Sequence, residues 1–139
     1  MKTITQYLIK FAIIATLLTI VFRYALTFGI DNKSNLIVML SAILYGIAMY
    51  LAGWVFGKKD REHLPIYDVG FRFHLTTYLI HNIISELWFV FGFNSKSENI
   101  TVIHSTAIIW GLFLVGHFIF FLWTRKNAIH NLDKEDLFE

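Results

Sequence analysis

Cysteine is absent from this 139-residue chain, which removes disulfides, thiolate nucleophiles and every Cys-ligated zinc or iron–sulfur centre. Proline occurs once, as Pro65, and charged side chains make up only 16% of the residues. Ordinary soluble domains carry about 25%. The formal net charge is +2 with no dense Lys/Arg tract, so nucleic-acid binding is disfavoured. Also missing are the phosphate-cradling G-x-x-x-x-G-K-[ST], the nucleophile elbow G-x-S-x-G and the zinc motif H-E-x-x-H. There is no Gly/Ser linker, low-complexity tract or internal repeat. What the chain has in abundance is apolar surface: 56% hydrophobic residues, among them 14 phenylalanines. The length allows one domain, spanning residues 1–139.

Apolar runs lie at about residues 7–28, 36–56, 71–93 and 101–124. Each is roughly 21–24 residues, the length that carries a helix across about 30 Å of hydrocarbon. Their polar residues recur at helical and not alternating spacing, which excludes barrel strands. Short connectors, Gly29–Asn35, Gly57–Gly70 and Asn94–Asn99, make successive helices antiparallel neighbours. The expected fold is therefore an all-α integral membrane protein, an antiparallel bundle of four transmembrane helices. The first run is followed by no small-residue cleavage site and reads as a retained span.

The basic residues set the orientation. Lys2, Lys10, Lys58, Lys59, Arg61, Arg72, Arg125, Lys126 and Lys134 fall on one side, against Lys33 and Lys96 on the other. This bias places both termini, the middle connector and the 125–139 tail in the cytoplasm, and with them the chain in the plasma membrane. Trp54 and Trp123 then sit at the cytoplasmic interface and Trp88 near the outer one, while Trp110 falls mid-span and packs inside.

Polar side chains form stripes within the runs. At 100° per residue, His74, Tyr78, His81, Asn82 and Ser85 fall within about 100° of one another, with Glu86 at the margin. Thr16, Thr19, Arg23 and Thr27 share about 80° of the first helix. A charge at the bilayer centre costs on the order of 3 kcal/mol, so both stripes are expected to face inward. Arg23 and Glu86 lie at nearly the same depth on parallel helices. This predicts an ion pair between them, with Asn82, His81 and His104 in the same intramembrane polar cluster. His74 and His117 fall about a turn apart in depth on adjacent helices, which makes them candidate ligands for haem or a metal ion. His63 and Asp68 in the connector could add to them. On the second run, Ala42, Gly46 and Gly53 form a small-residue ridge for core packing or for a homo-oligomeric contact.

Two patterns carry a resemblance. One is F-x-F-H-x-x-x-Y-x-x-x-N, formed by Phe71, Phe73, His74, Tyr78 and Asn82; the other is W-G-x-x-L-x-x-H, formed by Trp110, Gly111, Leu114 and His117. Over about residues 66–123, the chain resembles the two-transmembrane domain family of bacterial membrane proteins. That resemblance implies a helical hairpin of the kind often attached to sensor kinases or transcriptional regulators, with no established biochemical activity. It makes His74, Tyr78, Asn82, Trp110 and His117 signature positions. The chain departs from the pattern at Phe113, where the family often has a second glycine, and in carrying an extra N-terminal helix pair in place of a fused soluble module.

The expected function is a non-enzymatic sensing, scaffolding or regulatory module without a cofactor. It would use the bilayer and a cytoplasmic protein partner, with Leu137–Phe138 in the tail as a docking segment. Two alternatives stand beside it. One is a haem- or metal-binding redox protein using His74 and His117. The other is an oligomeric transporter or pore lined by Arg23, Glu86 and the histidines.

Overall fold

The computed structural model describes the backbone of residues 4–61 and 66–130 and the side chains of 4–61 and 69–124. Four helices account for most of it: α1 (Gln6–Asp31), α2 (Asn35–Asp60), α3 (Ile66–Val90) and α4 (Ile100–His130). There is no strand among the described residues. The middle connector is shorter than its composition suggested, because α2 runs on through Lys58 and Lys59 to Asp60 and α3 begins at Ile66. The side chains of His63 and Asp68, and the tail with Leu137–Phe138, lie outside the described residues.

Local chemistry fixes the helix ends. Thr5 caps α1, its Oγ1 accepting from the Leu8 N–H at 3.1 Å. The same hydroxyl donates to Asp60 Oδ2 at 2.8 Å, fastening the start of α1 to the end of α2. At the other end of this pair, Lys33 takes a positive φ of 52°. The Lys33 N–H then reaches Ile30 O and the Ser34 N–H reaches Gly29 O, the double closure of a Schellman turn. Ser34 next caps α2 through Ile37 N–H. Gly92, at φ 71°, closes α3 in the same manner through bonds to Phe89 O and Trp88 O. Gly29 is needed for a different reason: a Cβ there would meet Ile37 and Val38 side-chain carbons at 3.0 Å, so its lack of a side chain lets α1 and α2 close up beside the turn.

The contacts give the directions. Phe11–Gly53 and Thr19–Tyr45 pair α1 with α2 in antiparallel register. Phe11–Phe73 and Thr27–Trp88 set α1 parallel to α3. His74–His117 and Tyr78–Ala107 set α3 antiparallel to α4. The core of Phe11, Ala15, Met49, Val69 and Phe73 lies among the first three helices, with the Phe11 and Phe73 rings 4.7 Å apart.

The expected four-helix bundle is open on one side. Helices α1, α2 and α3 pack against one another, whereas α4 rests on α3 alone among the described residues. The reason lies in the composition of α4. His104, His117 and Trp110 meet α3, and Ile108, Leu112, Phe113 and Ile119 are each more than 60% exposed. In a bilayer there is no hydrophobic drive to bury them, since lipid tails cover them as well as protein would. Among the described residues, α1, α2 and the Ile100–Thr124 stretch of α4 are long and apolar enough to cross a membrane, which is the build of an integral membrane protein. The polar side chains of α3 keep it out of that group.

Candidate functional site

Three polar assemblies lie along the helices. The one at the α1–α2 turn end centres on Arg23, which is 1% exposed. Its Nη2 donates to Glu98 Oε2 at 2.6 Å. Glu98 Oε1 accepts from Thr27 Oγ1 at 2.8 Å and from the Ser95 N–H at 3.2 Å. Thr27 Oγ1 in turn accepts from the Trp88 indole at 3.1 Å. The guanidinium also lies over the Trp88 and Phe89 rings.

This geometry corrects the predicted Arg23–Glu86 pair. On α3 the residues facing Arg23 are Trp88 and Phe89, and Glu86 points elsewhere on the helix. Glu86 instead meets His104 Nε2 at 2.9 Å on the α4 side, with both side chains about half exposed. Asn82 turns back to Tyr78 O on its own helix. Arg23, Glu86, Asn82, His81 and His104 are thus divided among separate contacts and form no single cluster. Sequence reading missed Glu98 because it sits in the NSKSEN connector, where an acid is ordinarily solvated. The available signal was the unmet need of a buried arginine for a carboxylate.

The middle assembly was half foreseen. Thr19, fully buried, spends its one proton on Ala15 O at 2.7 Å. Its contact with Tyr45 Oη at 3.0 Å therefore takes the tyrosine proton, and the 3.1 Å contact from Tyr45 Oη to His81 Nδ1 must be donated by the histidine. A run of three hydrogen bonds thus crosses from α1 through α2 to α3, and Tyr45 is its unforeseen member.

The third assembly gathers His74, Tyr78, Trp110 and His117. The Trp110 indole donates to His74 Nε2 at 2.8 Å, and His74 Nδ1 lies 3.0 Å from His117 Nδ1. An indole only donates, so Nε2 of neutral His74 is an acceptor and its Nδ1 carries the proton. That proton goes to His117 Nδ1, leaving His117 with its N–H at Nε2, beside Gly70. Tyr78 Oη donates to Ala107 O at 3.2 Å and packs edge-on against Trp110. Gly111 makes room for this: a Cβ there would come within 3.2 Å of the Tyr78 hydroxyl. Gly111→Ala should push the phenol off Ala107 and lower thermal stability by about 1 kcal/mol. Tyr78→Phe should remove most of that penalty, checked by melting in detergent.

The arrangement holds helices in register and gives each histidine a defined tautomer. His74 and His117 are close enough for their Nδ1 atoms to share one proton or, alternatively, one metal ion. Among the described residues no group of three or more His, Asp or Glu converges as a metal site. The small-residue ridge divides: Gly53 backs onto Phe11, whereas nothing lies near a Cβ built at Gly46. Asp60, which sequence reading left in the connector, is 1% exposed and sits at the α1 N-terminus, where helix dipoles favour an anion. Compared with protein-family models, curated proteins and solved structures, the chain matches none.

Proposed function

We propose that this chain is a non-enzymatic sensing or regulatory module of the bacterial inner membrane, crossing it four times with both termini in the cytoplasm. The Lys/Arg bias supports the orientation. The role of α3 as the fourth span is supported by where its polar groups go: His81 bonds to Tyr45, His74 to α4, and Ser85 is fully buried. One observation carries the sensing role. The connector before α4 is latched into α1 by Glu98, while among the described residues α4 itself rests on α3 alone. A change at that outer connector is thereby transmitted to the seating of α4 and to the tail beyond it, where a cytoplasmic protein partner would read it.

A chain without cysteine makes the test direct. Ser97→Cys should react with an impermeant maleimide in intact cells, and a cysteine at position 134 should react only after lysis. Ser95, 3% exposed, should label slowly as Ser95→Cys, and about tenfold faster once Glu98→Ala opens the latch. Labelling of position 134 from outside would end the topology, and equal rates at position 95 would end the latch.

A second reading has its own observation, the two Nδ1 atoms 3.0 Å apart. Imidazole–metal bonds of about 2.0–2.1 Å would let one ion bridge them with a small adjustment. A haem held from both faces would need them about 4 Å apart, twice such a bond length. Stoichiometric metal in the purified chain, lost in His117→Asn, would favour this redox reading, and metal-free protein of unchanged stability would set it aside. The transporter reading, lined by Arg23, Glu86 and the histidines, would need a second copy to enclose a path. The Ala42–Gly46 part of the ridge, where nothing lies near Gly46, is where that copy would pack.

A further inference from the structure

At the far end of the helices from Glu98, a half-enclosed groove of about 680 Å³ lies between α2 and α3. Its walls are Phe11, Met49, Val69 and Phe73, and the missing side chains of Gly53 and Gly57 give it depth. Thr77 also lines it, but spends its hydroxyl proton on Phe73 O at 2.9 Å. At the end of α2 the character changes: Lys58 and Arg61 line the groove there, both exposed. Neither has an anionic partner among the described residues. The carboxylate that follows Lys59, Asp60, is turned away to Thr5 and buried. Among the described residues no acid lines the groove; its remaining polar groups are those of Tyr50, Trp54 and the two histidines, with the His117 Nε2–H beside Gly70.

An apolar trough that ends in two cations matches one kind of molecule. Its volume falls in the range of about 300–1,000 Å³ that small-molecule sites occupy. A neutral apolar guest would leave the cations unused, and a small anion would leave the trough unused. We infer that the groove holds an acyl chain of an anionic phospholipid drawn from the adjoining leaflet, with its phosphate at Lys58 and Arg61. The inference stands apart from the sensing role, since neither Arg23 nor Glu98 contributes to it.

The test uses the full-length chain in mild detergent, offered equal amounts of phosphatidylglycerol and phosphatidylcholine, with retained lipid counted by native mass spectrometry. One phosphatidylglycerol per chain should be kept, preferred about thirtyfold, the worth of two near-surface cations. Lys58→Gln with Arg61→Gln, both exposed positions, should cut the preference to about threefold or less at an unchanged melting temperature. Gly53→Leu keeps both cations but fills the trough, and should reduce retention of either lipid. Equal retention of the two lipids by the native chain would overturn the proposal. So would a preference that survives loss of both cations, or lipid retained undiminished by Gly53→Leu. A lipid-free dimer would assign the groove to a second copy instead.

Discussion

Glu98→Ala should destabilise the folded chain by about 3–5 kcal/mol, as should Arg23→Met, because each strands a buried charge whose partner has gone. Both side chains are almost wholly shielded, at 2% and 6% exposure, so little solvent screening softens the loss. Arg23 Nε already lacks a hydrogen-bond partner, which leaves the guanidinium dependent on the Glu98 contact and the two rings beneath it. The double variant should lose far less than the sum, with a coupling of about 2 kcal/mol or more in a thermodynamic cycle. Unfolding in graded detergent mixtures gives the numbers. Glu86 supplies the control. Its partner is His104 and both are about half exposed, so Glu86→Gln should cost under about 1 kcal/mol and add independently to Arg23→Met. Coupling between positions 23 and 86, with none between 23 and 98, would refute the assignment.

His74→Leu comes second, at about 2–3 kcal/mol, because it leaves two groups without a partner at once: the Trp110 indole N–H and the Nδ1 of His117. His117→Leu leaves only the His74 Nδ1–H wanting and should cost roughly half as much. Stability alone would not prove the proton assignment, so the second readout is spectroscopic. Ring-nitrogen NMR should find His74 protonated at Nδ1 and His117 at Nε2. In Trp110→Phe, His74 is freed to exchange tautomers and its signals should broaden. A native chain with His74 protonated at Nε2 would contradict the Trp110 bond.

Much of this architecture could be read from residues alone, because helical spacing, run length and short polar connectors leave few other folds open to such a composition. That His74 and His117 lie near one level followed from depth on adjacent antiparallel helices, but their direct contact did not. Burial of Thr19 and Arg23 followed from the cost of presenting them to lipid. What could not be read was azimuth between helices that are not neighbours in sequence. Depth put Arg23 level with Glu86, but α3 turns Trp88 and Phe89 toward α1, and nothing in a one-dimensional pattern fixes that rotation. Glu98 was hidden for a related reason: connector residues fold back at angles set by turns such as the one at Gly92, which periodicity does not describe. The isolation of α4 was also illegible. A helix apolar over most of its surface suits the centre of a bundle and the lipid-facing edge equally well.

The α1–α2 pair is fastened at both extremities, by the Lys33 turn at one end and by Thr5 with Asp60 at the other. Every residue of those two clasps is synthesised before α3 begins. During biogenesis the first two helices can therefore leave the insertion machinery as a finished hairpin. The α3–α4 segment then arrives at a preformed wall, and the arginine waiting on that wall selects the rotation at which the newcomer docks.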